Sequence, residues 1–190
     1  MKIQNFKFLI VFLVSLTLVA GCKDDNENQS SAFVGEYVIK NSTTTEAITV
    51  ETNEMGSLQI PIGTDITVAM QNALLGQVEC SSASKTWVEL RSDNKIVMSC
   101  EGGNELDAGT WQEVSETEIK LNMNSSAIPS SPTGFTLTVA DISIAGVLMT
   151  GKTSVPLPKE MIAQMIAPLT LSESSPVIFL VKFSIQFEKQ

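Results

Sequence analysis

The sequence predicts a mainly β domain, and three observations carry that expectation. Apolar and polar residues alternate with period two in many short segments. Those segments are separated by clusters of Ser, Thr, Asn, Asp and Gly, the residues that make turns. The chain also finishes on a long alternating run in which Val177, Phe179, Val181, Phe183, Ile185 and Phe187 share one parity. Lys182, Ser184, Gln186 and Glu188 share the other. Alternation of this kind buries one face of a strand and wets the other, as a sandwich or a barrel requires.

Taken in order, residues 36–40 and 47–51 are expected to pair around Ser42-Thr43-Thr44-Thr45. Residues 85–91 and 95–101 flank the tight-turn sequence Ser92-Asp93-Asn94, and residues 110–114 and 118–122 flank Ser115-Glu116-Thr117. Within residues 135–149 the apolar parity switches, from Phe135, Leu137 and Val139 to Ile142, Ile144 and Leu148. One extra residue near Ala140-Asp141 would keep the same face buried, which is a β-bulge. Two segments break the β pattern. Gln59-Ile60-Pro61-Ile62 precedes residues 64–75, and Ser154-Val155-Pro156-Leu157 precedes residues 158–167. Each carries an acid near its start and apolar residues at helical spacing: Ile66, Met70 and Leu74 in one, Met161, Met165 and Ile166 in the other. Each therefore predicts a strand followed by a short helix.

The N-terminus predicts an address. Lys2 and Lys7 precede apolar residues 8–14 and 16–20, too short a run to span a bilayer but long enough for a signal sequence. The run ends in Val19-Ala20-Gly21-Cys22, which resembles the lipobox of bacterial lipoproteins. That resemblance implies that residues 1–21 are removed and that Cys22 is acylated, holding the protein in the outer membrane by lipid. Residues 22–31 read as a polar, acidic tether. Lys23-Asp24-Asp25 resembles the lipoprotein export signal of Bacteroidota, implying display on the cell surface. Residues 32–190 remain as one domain.

Removing residues 1–21 takes away Lys2 and Lys7 and no acid, moving the formal net charge from −9 to −11. Such a surface repels nucleic acid phosphates, so no nucleic acid partner is expected. Of the remaining cysteines, Cys80 and Cys100 either form one bridge, which an exported compartment permits, or stay as two buried thiols.

Phe33-Val34-Gly35-Glu36-Tyr37, then Gly109-Thr110-Trp111 followed by Glu118-Ile119-Lys120-Leu121, resemble calycin or lipocalin-like lipoproteins of Bacteroidota. The resemblance implies a single antiparallel up-and-down β-barrel, here with one or two short helices, whose lumen or mouth can hold a small ligand. The chain departs from lipocalins proper in its two helical insertions.

The chemistry inventory is mostly negative. The chain contains no histidine, which removes His-dependent triads and the commonest general base. Phosphate-cradling loops, nucleophile elbows and dinucleotide fingerprints are missing too. No enzyme activity, cofactor or metal is expected. Glu101-Gly102-Gly103-Asn104-Glu105-Leu106-Asp107 gathers oxygen ligands without the spacing of a calcium loop, and reads as a hairpin connection. Tyr37, Trp87 and Trp111 are candidate ligand contacts, whose bland alternative is core or barrel-end packing. The expected function is a lipid-anchored, non-enzymatic binding module for a small hydrophobic ligand, a glycan or a partner protein. The alternative is a structural or adhesive accessory subunit with a filled barrel.

Overall fold

The computed structural model describes residues 31–75, 78, 80, 86–101, 103–124 and 134–190. The expected signal, Cys22 and all of the tether except Ser31 lie outside the described residues. Among the described residues, ten strands and two helices follow in chain order: β1 Gly35–Thr44, β2 Ile48–Thr52, β3 Gly56–Ile60, α1 Thr67–Leu75, β4 Thr86–Leu90, β5 Lys95–Cys100, β6 Leu106–Ser115, β7 Glu118–Met123, β8 Phe135–Ala145, β9 Leu148–Pro158, α2 Lys159–Ile166 and β10 Ile178–Lys189. Eight of the strands close an antiparallel barrel in the order β1-β10-β9-β8-β7-β6-β5-β4, with β4 returning to β1. From β4 to β10 the chain runs up and down between neighbours. The excursion between β1 and β4 carries the separate β2–β3 hairpin and α1. This is an architecture compatible with the calycin-like fold.

The alternating parity of each strand decides its inner face. β10 buries Phe179, Val181, Phe183, Ile185 and Phe187 and turns Lys182 to solvent, where it pairs with Glu46 at 2.8 Å. Val177 departs from the expected series. It lies before β10 and is 74% exposed, because the strand starts only at Ile178, where it meets Pro158 of β9. The hairpins β4–β5 and β6–β7 form at the turns expected. The bulge in β8 is present: the register shifts between Ala140 and Ser143, Asp141 adopts φ 54°, and Ile142 stays buried on the new parity. Ile144 does not follow it inward and is 47% exposed, since β8 there runs past the turn of the neighbouring β6–β7 hairpin.

The expected pairing of residues 36–40 with 47–51 is wrong. β1 continues through Ser42-Thr43-Thr44 and pairs with β10 and β4, while β2 pairs with β3. A Ser/Thr run reads as a turn when its partners are out of sight, but here a distant segment supplies them. Ser42 N–H donates to Thr67 Oγ1 (2.9 Å), and Ile66 N–H donates to Ser42 O (2.8 Å). Thr44 Oγ1 donates to Pro61 O (2.9 Å) and accepts from Thr64 N–H (3.0 Å). These bonds satisfy the backbone of Ser42 and the hydroxyl of Thr44 as the strand continues, while the buried Ser42 hydroxyl has no hydrogen-bond partner among the described residues.

The barrel thus has two unlike ends. At the entry end lie the start of β1, the β4–β5, β6–β7 and β8–β9 turns and the end of β10. At the capped end, β2, α1 and α2 bury Val50, Ile66, Met70, Ile162 and Ile166. The helices are shorter than the expected 64–75 and 158–167. In α2 the fully buried positions are Ile162 and Ile166, with Met161 and Met165 half-buried beside them. Asp65 accepts hydrogen bonds from the backbone N–H (2.8 Å) and hydroxyl (2.6 Å) of Thr67, satisfying an orphan donor at the start of α1.

Because parity rather than composition sets the inner face, Phe183→Ala should cost about 3–5 kcal/mol, the transfer energy of the lost ring plus its cavity. Lys182→Ala should cost at most about 1 kcal/mol, the upper value for an exposed ion pair. Chemical denaturation of both variants checks the contrast; equal losses would contradict the face assignment.

Candidate functional site

The lumen is where an eight-stranded barrel of this kind can hold a ligand. Its wall is wholly apolar, with Ile39, Met98, Ile119, Leu121, Val139 and Phe187 among the lining side chains. The void they leave is about 40 Å³. A benzene-binding cavity in a protein core is about 150 Å³, and drug-sized ligands occupy pockets of roughly 300–1,000 Å³. The interior is therefore packed, with Met98, Met123 and Met149 adapting to the space between the larger residues.

Aromatic side chains close the entry end. Phe33 and Tyr37 are buried, and the Tyr37 hydroxyl donates to Phe33 O at 2.9 Å. The Tyr37 ring meets Phe187 edge-on, with centroids 6.2 Å apart and planes at 72°. Lys189 Nζ lies 6.0 Å from the centre of the Tyr37 ring and donates to Val34 O at 2.6 Å, so the segment preceding β1 is fastened across the mouth. Trp111 pairs with Leu121 on the inner wall and donates its indole N–H to Arg91 O in the β4–β5 turn, at 2.8 Å. Two residues earlier, Gly109 lets β6 approach β7 closely: its φ is 139°, and a Cβ there would strike the backbone oxygen of Asn122.

Trp87 stands apart. Its neighbour Val88 lines the lumen, so alternation places Trp87 on the outer face of β4, half-buried opposite Ser99. The structure brings Tyr37 and Trp111 to the inner wall and leaves Trp87 outside, so the three do not form one platform. Nothing in composition separates Trp87 from Trp111; parity against Val88 and Leu121 does. Phe33 carries no such signal, because it lies outside any strand.

A disulfide joins Cys80 to Cys100, whose Cα atoms are 5.7 Å apart, and ties the connection before β4 to the end of β5. Closing a loop of this length stabilises the fold by about 3 kcal/mol in the chain-entropy picture. Glu105 and Asp107, from the acidic loop, are engaged structurally. Glu105 pairs with Arg91 at 2.8 Å, and Asp107 Oδ1 accepts from Gly109 N–H at 3.2 Å. Arg91 also holds Glu89 at 2.7 Å, and these two carboxylates raise its pKa.

Two exposed carboxyls are held below the usual range. Hydrogen bonds from the Thr170 hydroxyl and N–H do this for Glu54, and those from Thr67 do it for Asp65. A general acid needs the opposite shift. Outside the lumen, α1 and α2 flank a groove of about 270 Å³ lined by Asp65, Val68, Asn72, Met161 and Gln164 among others. Sequence inspection finds the two helices but not that they face one another.

No protein-family model matches this chain, and no curated protein matches it.

Burial raises the pKa of Tyr37, because the ionised phenolate would lose its hydration in the entry plug. Stability tied to the neutral phenol is then complete below the unfolded value, near 10. It is lost as pH rises through the higher folded value. Tyr37 is the sole tyrosine, so phenolate absorbance reports it directly. Its midpoint should lie above that of the urea-unfolded chain; an equal or lower midpoint would show the plug to be open to water.

Proposed function

We propose that this chain is a lipid-anchored, non-enzymatic protein of the bacterial outer membrane, displayed on the cell surface. Its barrel serves as a sealed scaffold and offers its outer surface to a glycan or protein partner. The observation that carries this is the filled lumen: about 40 Å³ of void behind an aromatic plug leaves no room for a small-molecule cargo. The anchor rests on Val19-Ala20-Gly21-Cys22, and the surface address on Lys23-Asp24-Asp25. Gly35-Glu36-Tyr37 and Gly109-Thr110-Trp111 resemble lipocalin-like lipoproteins of Bacteroidota, which supports the anchored, exported part of this reading but not the sealed lumen. The disulfide between Cys80 and Cys100 suits an oxidising, exported setting.

One observation favours a carrier instead. The lumen wall is entirely apolar and includes three methionines, which can repack around a guest. Titration with an apolar fluorescent probe and with a long-chain fatty acid, read by methyl NMR, separates the two. The sealed scaffold predicts no saturable binding and unmoved Met98, Met123 and Met149 methyl signals. Saturable one-to-one binding that shifts those three methyls would replace the scaffold by a hydrophobic-ligand carrier.

A further inference from the structure

At the entry end, three aliphatic side chains face water on two neighbouring hairpins. Val114 is 51% exposed, Ile144 47% and Val147 57%. Val114 precedes the β6–β7 turn. The register there passes from Glu113↔Ile119 to Ser115↔Glu118, so Val114 is the bulged residue without a cross-strand partner. Ile144 is the next-to-last residue of β8, just before the β8–β9 turn, and Val147 lies in that turn beside Gly146, which takes φ 62°. The two hairpins are fastened together, because Ile142 N–H donates to Thr117 O at 2.9 Å. Strand propensity accounts for Val114 and Ile144 as residue types, but turns ordinarily carry Gly, Asn, Asp or Ser, so Val147 in the turn itself is unusual. Exposed apolar patches mark contact surfaces.

The position of these tips identifies what covers them. Lys189 N–H donates to Val147 O at 2.7 Å, while its ammonium donates to Val34 O. The β8–β9 tip therefore stands beside the point where the chain enters the barrel. Fully extended, the chain from Cys22 to Ser31 reaches at most about 32 Å, so an acylated Cys22 would keep the point where the chain enters the barrel within that distance of the bilayer. Nearby Glu113, Glu116, Glu118, Asp141 and Glu188 outnumber Lys40, Lys152 and Lys189, which disfavours attraction to anionic headgroups and leaves apolar contact as the driving force.

We propose that the entry-end rim, through Val114, Ile144 and Val147, dips into the interfacial layer of the membrane that holds Cys22. This fixes the orientation of the barrel: the α1–α2 groove and the exposed Val177, Ile178 and Leu180 point away from the lipid, toward partners. The orientation rests on the lipid-anchor reading above.

The test uses the full acylated chain in phosphatidylcholine vesicles. With Cys22 acylated and Cys80 bridged to Cys100, a cysteine introduced as Val147→Cys or Leu180→Cys takes a fluorophore alone. Nitroxide-bearing lipids should quench the probe at 147 several-fold more than the probe at 180, with little change between low and high salt. Adding Ile144→Asp should reduce quenching at 147 while the protein still floats with the vesicles. Equal quenching at both positions, in protein that floats, overturns the rim contact and leaves the anchor standing. Flotation no better than that of Cys22→Ser overturns the anchor and the orientation with it.

Discussion

β1 is hydrogen-bonded on both sides, and the two sides are unequal. Its register with β10 runs from Tyr37↔Lys189 to Thr44↔Phe183, but with β4 it comprises only Gly35↔Leu90, Glu36↔Glu89 and Tyr37↔Val88. A barrel has no edges only while such a seam holds. This seam also sets two acids opposite each other, Glu36 and Glu89, an arrangement that is unfavourable in a ladder unless neutralised. Arg91, 2.7 Å from Glu89, supplies the neutralising charge. Beyond Tyr37, the hydroxyl of Thr86, 1% exposed, has no hydrogen-bond partner among the described residues.

Features at both ends of the seam compensate for its shortness. At the entry end, Phe33, Tyr37 and Lys189 clamp the start of β1 by side chain as well as backbone. At the capped end, the segment 61–67 bonds Ser42 and Thr44, and the disulfide at Cys100 ties down the chain leading into β4. Between the two, Phe179, Phe183 and Phe187 from one face of β10 fill the lumen, so that closing the ring and packing the core are the same event. The same packing leaves a void of only about 40 Å³.

Where local alternation decides structure, the sequence was readable. The β4–β5 and β6–β7 hairpins, the inner face of β10 and the bulge at Asp141 all follow from parity and turn chemistry. It was unreadable where partners lie far along the chain. Ser42-Thr43-Thr44 has turn composition, and only Pro61, Thr64 and Thr67 make it a strand. Val177 shares the parity of β10 yet precedes it, because pairing with Pro158 sets the start of the strand. Aromatic roles depended on position as well: Trp111 plugs the barrel and Trp87 lies outside it, though both are tryptophans in strands with alternating neighbours. Residues 1–30 carry the expected address, and their reading rests on motif alone.

The central claim, a barrel kept sealed through a short seam, is tested most directly by native-state hydrogen exchange. If closure and core packing form one cooperative unit, the β1–β4 ladder amides will exchange only with global unfolding. Their opening free energy will then match that of the long β9–β10 ladder. Seam amides that exchange through a separate, low-energy opening, while β9–β10 stays protected, would show a barrel that breathes along β1 and would contradict the sealed scaffold.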